Sequence, residues 1–155
     1  MRVLLFAFLL LIGFSAQGQS LYQKKIRSLF TKVHYDEKYN SELWELTKST
    51  NIDNPTIYAY KCLYYIMNAK YVFWVHKKME NFKTGRTKLD LAIEKYPMNA
   101  DLRLVRYAVQ KNAPKFLKYS ENTEEDKKIL LEYKKNQSTD QELVSLIDGV
   151  LAKFP

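Results

Sequence analysis

The chain has 155 residues, 25 Lys and Arg against 17 Asp and Glu, a formal net charge of +8, four glycines, four prolines and one cysteine. That length suits a single hydrophobic core, and the lone Cys62 excludes an intramolecular disulfide framework. The scarcity of Gly and Pro argues against sheets joined by tight turns. The positive excess favours attraction to anionic partners and leaves the fold open.

Residues 1–18 read as an export leader. Arg2 supplies the positive start, Val3 to Ile12 form an apolar run, and Ala16 and Gly18 stand at a cleavage spacing before Gln19. The run is shorter than the roughly 20 residues that span a bilayer. Gln19 and Ser20 stand where a lipoprotein would carry Cys, so the expectation is a free periplasmic or extracellular domain, 19–155, with no transmembrane anchor.

Apolar spacing of three and four residues then predicts helices throughout. The first covers about 21–33, with Leu21, Ile26, Leu29, Phe30 and Val33 inward; the second covers about 36–48, carrying Tyr39, Leu43, Trp44 and Leu46. Asn54-Pro55 is a helix-start signal, a cap followed by Pro at the first helical position. The third helix is expected to reach about Lys78. Its two apolar stripes, Ile57, Tyr60, Tyr64, Met67, Tyr71 and Trp74, and Ala59, Leu63, Ile66 and Phe73, predict the middle of a bundle. A fourth helix over 81–96 ends at Pro97, and a fifth runs from Met98 or Asn99 to about Lys111. After a short helical turn at 115–119, a sixth begins near Thr123 with acids in its first turn and closes with Lys134 and Lys135. The last opens at Ser138 or Thr139, both at capping-box spacing, and turns Leu143, Leu146, Ile147, Val150 and Leu151 inward.

Gly85, Leu89, Ala92 and Pro97 have the spacing of the second helix and exit turn of a tetratricopeptide repeat, and LDLAIEKYPMN at 89–99 carries the resemblance furthest. The resemblance covers about one helix and one turn. It implies a hairpin whose helices approach closely at a small residue, and its first-helix positions fall on Ala69, Val72, Phe73 and His76. Bulky Phe73 stands where that family has a small residue, and a step of about 34 residues finds no second copy. The segment 102–119 also resembles small exported bacterial helical proteins of uncharacterised function. The fold expected is therefore an all-α single-domain bundle of about seven helices in antiparallel hairpins with tetratricopeptide-like stacking.

The chemistry-bearing residues are sparse. His34, His76 and Cys62 lack zinc-ligand spacing, so no metal is implied; the two glycines after the leader are far apart, so no nucleotide or other cofactor is implied. Cys62 lies mid-helix among large side chains and reads as a buried thiol. The carboxylate pairs Asp90/Glu94 and Glu42/Glu45 carry no sign of the apolar pocket that a general acid needs. The aromatic and basic set Tyr60, Tyr64, Tyr71, Arg103, Arg106 and Gln110 is the candidate binding set, suited to stacking and cationic contacts with an anionic polymer. Those tyrosines at helical spacing also read as core, and Arg103 and Arg106 as partners of Glu94 or Asp101. The leading expectation is a non-enzymatic, exported scaffold for a protein or peptide; the alternative is a binder or hydrolase of an anionic or cell-wall polysaccharide. Oligomeric state is left open.

Overall fold

The computed structural model describes residues 21–136 and 139–154, so the leader assigned to 1–18 and the Ser138 cap lie outside the described residues. The described residues form an all-α bundle. Helix α1 covers 21–29, and α2 (Glu37–Thr47), α3 (Pro55–Tyr71), α4 (Val75–Lys95), α5 (Ala100–Asn112), α6 (Thr123–Asn136) and α7 (Gln141–Lys153) follow, with a 3-10 turn at Lys115–Leu117 before α6. Among the described residues no helix is long and apolar enough to cross a membrane.

The helix starts follow local chemistry. Asp36, Asn54, Asn99 and Asp140 each accept from a backbone N–H of the first turn, at Lys38, Ile57, Leu102 and Leu143, satisfying donors that have no partner within the helix. Asp140, rather than the predicted Ser138 or Thr139, therefore caps α7. The predicted third helix divides. Val72 adopts extended backbone, Phe73 and Trp74 form the corner, and α4 begins at Val75, earlier than expected. A run of β-branched and aromatic residues gives the helix little reason to continue here, and Asn68 Nδ2 donates to Asn81 Oδ1 (3.1 Å) across the corner. The first helix likewise stops at 29, with 30–35 forming turns.

Successive helices pair as antiparallel hairpins. Lys25 meets Glu42 at 3.3 Å between α1 and α2. The longest interface joins α3 and α4, and α5 packs on α6. The approach of α3 and α4 is set by Gly85: a Cβ there would lie 2.6 Å from Ile66 Cγ1, 2.7 Å from the Cys62 carbonyl oxygen and 2.9 Å from the Ile66 nitrogen. The small residue facing Gly85 is thus Cys62. Phe73, assigned that role by the repeat spacing, stands in the corner because both helices extend beyond the close approach.

Helix α3 contacts α2, α4 and α5, as a two-sided helix should. Burial is deeper still in α5, where ten of thirteen residues are buried. Its Leu102, Val105 and Val109 join the main core with Ile26, Leu43, Tyr60 and Leu89, while Leu104 and Tyr107 join a second cluster with Leu130, Leu143 and Ile147. Sequence reading places α3 at the centre because α5 carries Asp101, Arg103, Arg106 and Gln110 inward, which depresses its apolar signal.

Candidate functional site

The buried charges form two networks, and most of the candidate binding set belongs to them. In the first, Arg27 of α1 grips Asp101 of α5 with two parallel bonds, Nε to Oδ1 (2.9 Å) and Nη2 to Oδ2 (2.8 Å). Its Nη1 donates to both carboxylate oxygens of Asp140 at 2.9 Å. Tyr60 of α3 donates to Asp101 Oδ1 at 2.7 Å. One guanidinium, 3% exposed, therefore ties α1 to α5 and to the start of α7, with α3 completing the cluster. Burial lowers the Arg27 pKa, but the bonds and charge of Asp101 outweigh it and the net shift is upward. Burial first, then Asp101, pushes the Tyr60 phenol well up, so it stays a donor.

In the second network Asp126 of α6, fully buried, receives Arg103 Nη1 (2.7 Å) and Arg106 Nε and Nη2 (both 2.8 Å) from α5. Glu125 adds a contact to Arg103 at 3.0 Å, and Arg103 Nε donates to the Pro97 carbonyl at 2.8 Å. Arg106 reaches Asp90 of α4 at 3.4 Å, and Tyr119 donates to the same Asp90 oxygen at 2.9 Å. Burial, ahead of Asp90, pushes the Tyr119 phenol up as well. Gln110 is committed to the Asn122 just before α6, donating to its Oδ1 (3.1 Å) and accepting from its backbone N–H (3.2 Å).

The predicted set is therefore divided between interior and surface. Tyr60, Arg103, Arg106 and Gln110 are buried, whereas Tyr64 and Tyr71 are half-buried. Tyr64 packs on Trp44 with ring centroids 4.7 Å apart, and Tyr71 donates to the Val33 carbonyl at 2.6 Å. Neither Glu94 nor Asp101 partners the two arginines; Asp126 does, from a helix not yet begun at that point of the chain. Asp126 reads in sequence as a first-turn acid of its helix, and Arg27 is not singled out at all. The signal available is register: Asp126 lies one turn before buried Leu130, and Arg27 sits beside Ile26 on the inward side.

The other chemistry-bearing residues have structural partners. Asp90 also meets Arg86 at 3.7 Å, Glu45 pairs with Lys48, and Asp36, two residues after His34, is the α2 cap. Among the described residues no group of three His, Cys, Asp or Glu side chains is arranged to hold a metal. Cys62 is fully buried, and burial pushes its thiol up to about 12 against the opposing charges of Lys88 and Lys61. A thiol-specific disulfide reagent at pH 8 is expected to label it only after unfolding, because thiolate and access are both missing; labelling at the same rate in the native protein would contradict this placement.

Two surface features remain. A cleft of about 330 Å³ opens beside Arg27, lined by Gln23, Lys24, Thr139, Asp140 and Glu142. A shallow hollow of about 420 Å³ runs along α6 around Leu131, rimmed by Lys127, Lys128, Glu132 and Lys135. No protein-family model matches the chain, and no curated protein or solved structure matches it. The class defined by the structure is an all-α bundle of antiparallel hairpins.

Proposed function

We propose that this chain is an exported, non-enzymatic helical scaffold of the cell envelope that binds a protein or peptide, with its hairpins stacked in the tetratricopeptide manner. The stacking is supported by the close approach at Gly85 and by the parallel course of α3 and α5, whose starts are joined by Asn99 and Thr56 at 3.2 Å. In such a stack the first helices of the hairpins line an inner face. Here α1 occupies that face through Arg27, and Phe30 just after it meets the Tyr60 ring edge-on at 6.3 Å. The partner is therefore taken on an outer helix.

The observation that carries this reading is the α6 hollow, where half-exposed Leu131 is surrounded by charges of both signs. An apolar centre with a polar rim is the anatomy of a small protein interface. Incorporating a photo-crosslinking residue at Leu131 and irradiating the native envelope fraction is expected to yield one reproducible adduct, lost when neighbouring Lys128 is replaced by Glu. Absence of a reproducible adduct from this position would remove the α6 surface from the account. The polysaccharide alternative cannot draw on Arg103 or Arg106, whose donors are turned onto Asp126; it would have to use the basic turns at one end of the bundle.

A further inference from the structure

The three hairpin turns lie at the same end of the molecule. Tyr71 and Lys70, at the end of α3, donate to the carbonyls of Val33 (2.6 Å) and His34 (2.5 Å), which sets the 30–35 turn beside the α3–α4 corner. Because α3 and α5 start together at Thr56 and Asn99 and pack side by side, α5 ends toward this same end; the connector turns there and then returns along α4, where Tyr119 meets Phe82 edge-on at 6.0 Å and bonds Asp90. Each turn presents an aromatic side chain to solvent. Tyr35 is 77% exposed, Phe73 83%, Trp74 64% and Phe116 76%, and Val75 beside them is 74% exposed.

Lysines surround these rings. Lys32 and Lys70 flank the first two turns, Lys77 follows Trp74, and Lys115 and Lys118 bracket Phe116, all exposed. Lys118 holds a left-handed backbone (φ 46), a conformation that favours glycine. Lys153 of α7 joins them: the His34 imidazole is held below its ordinary pKa by desolvation first, then by the charges of Lys70 and Lys153. The acids at this end are Asp36, Glu37, Glu80 and, at the α5–α6 connector, Glu121 and Glu124. Asp36 caps α2 and meets Lys38 at 3.4 Å, and Glu80 meets Lys77 at 2.8 Å.

We propose that this turn end docks on an anionic lipid surface, with Phe73, Trp74, Val75 and Phe116 entering the headgroup boundary and the lysines meeting the headgroups. The proposal goes beyond the scaffold reading and uses a different surface from the α6 hollow. Large apolar side chains held in solvent mark an interaction surface, and Trp and Phe among Lys match the chemistry of the membrane interface. Clustered lysines are drawn to the negative potential of anionic lipid. Rings supplied by three separate turns form an outward-facing end rather than the walls of a cleft, and exposed Val75 and Met79 have no use in stacking on a sugar or a base. A soft, planar, negatively charged surface accommodates all of these features together.

The test uses the full chain carrying Trp44→Phe, so that Trp74 alone reports on this end whatever other part of the chain does. With vesicles of phosphatidylglycerol and phosphatidylcholine at low salt, Trp74 emission is expected to shift to the blue and to be quenched by lipids brominated in the acyl chain. Phosphatidylcholine vesicles should leave it unchanged. Phe73→Ser with Phe116→Ser should weaken partitioning about tenfold while the circular dichroism spectrum and melting temperature stay the same. The proposal is overturned if vesicles bind the protein while Trp74 stays in water, if neutral vesicles act equally, if nothing binds at low salt, or if soluble dextran sulfate shifts Trp74 and acyl-chain quenching is absent.

Discussion

Replacing Asp126 with Ala is expected to destabilise the protein by about 3–5 kcal/mol, because it leaves two buried guanidiniums without their shared carboxylate. Asp126 is fully buried and accepts three bonds of 2.7–2.8 Å from Arg103 and Arg106. Glu125 and Asp90 touch the same arginines only from more exposed positions, at 3.0 Å and 3.4 Å, so neither replaces it. Against a typical domain stability of about 5–15 kcal/mol, such a loss is a large fraction of the whole. Equilibrium denaturant unfolding measures it. By contrast, Glu80→Ala, which removes an exposed partner of Lys77, should leave the denaturation midpoint nearly unchanged, because solvent screens the pair. Replacing Asp126, Arg103 and Arg106 together by apolar residues of similar volume should recover much of the loss, since the penalty lies in the unpaired charges and not in the absence of charge. Equal costs for Asp126→Ala and Glu80→Ala would mean that the arginines are solvated.

Gly85→Ala tests the hairpin itself and is expected to cost about 1–3 kcal/mol, the usual penalty of overpacking. The substitution improves helix propensity by roughly 1 kcal/mol, so the sign depends on space. Two of the three atoms that the new Cβ would meet, at 2.7 Å and 2.9 Å, are backbone atoms of α3 and cannot swing aside. The helices must separate, opening gaps around Cys62 and Ile66. At Gly149 of α7 a new Cβ meets nothing within 4 Å, so Gly149→Ala carries only the propensity term and should stabilise by up to about 1 kcal/mol. Parallel melts of the two variants compare them, and shifts in the same direction would contradict the close approach.

Much of the helix order was legible because capping and periodicity are local. Asn54-Pro55, Asn99 and the Pro97 stop mark boundaries that the structure keeps, and the Gly85 spacing identifies a close helix approach. The corner at 72–74 was not legible: Phe73 and Trp74 continue the apolar stripes of α3, and nothing in the spacing says that the helix turns away before reaching them. The same ambiguity hid the pairing of charge. Arg103 lies two residues after Asp101 in sequence, yet its carboxylate comes from Asp126, and Asp101 is taken by Arg27 across the bundle. Such pairings depend on how hairpins are stacked, which periodicity along one helix does not contain. Tyr60, Arg103, Arg106 and Gln110 were singled out as part of an aromatic and basic binding set; the structure divides them between separate interior fastenings, Tyr60 with Asp101 and Arg27, the two arginines with Asp126, and Gln110 with Asn122.

Helix α1 is built into the bundle by Arg27, Ile26 and Leu29, rather than resting over a groove that a ligand could take. Amide hydrogen exchange of the native chain tests this directly. The amides of 26–29 are expected to exchange as slowly as those of Ala59 to Ile66 in α3 and to lose protection with them as denaturant is added, the signature of one cooperative unit. Exchange in α1 that is faster by orders of magnitude, with α3 and α5 still protected, would contradict the account and make the inner face an openable groove.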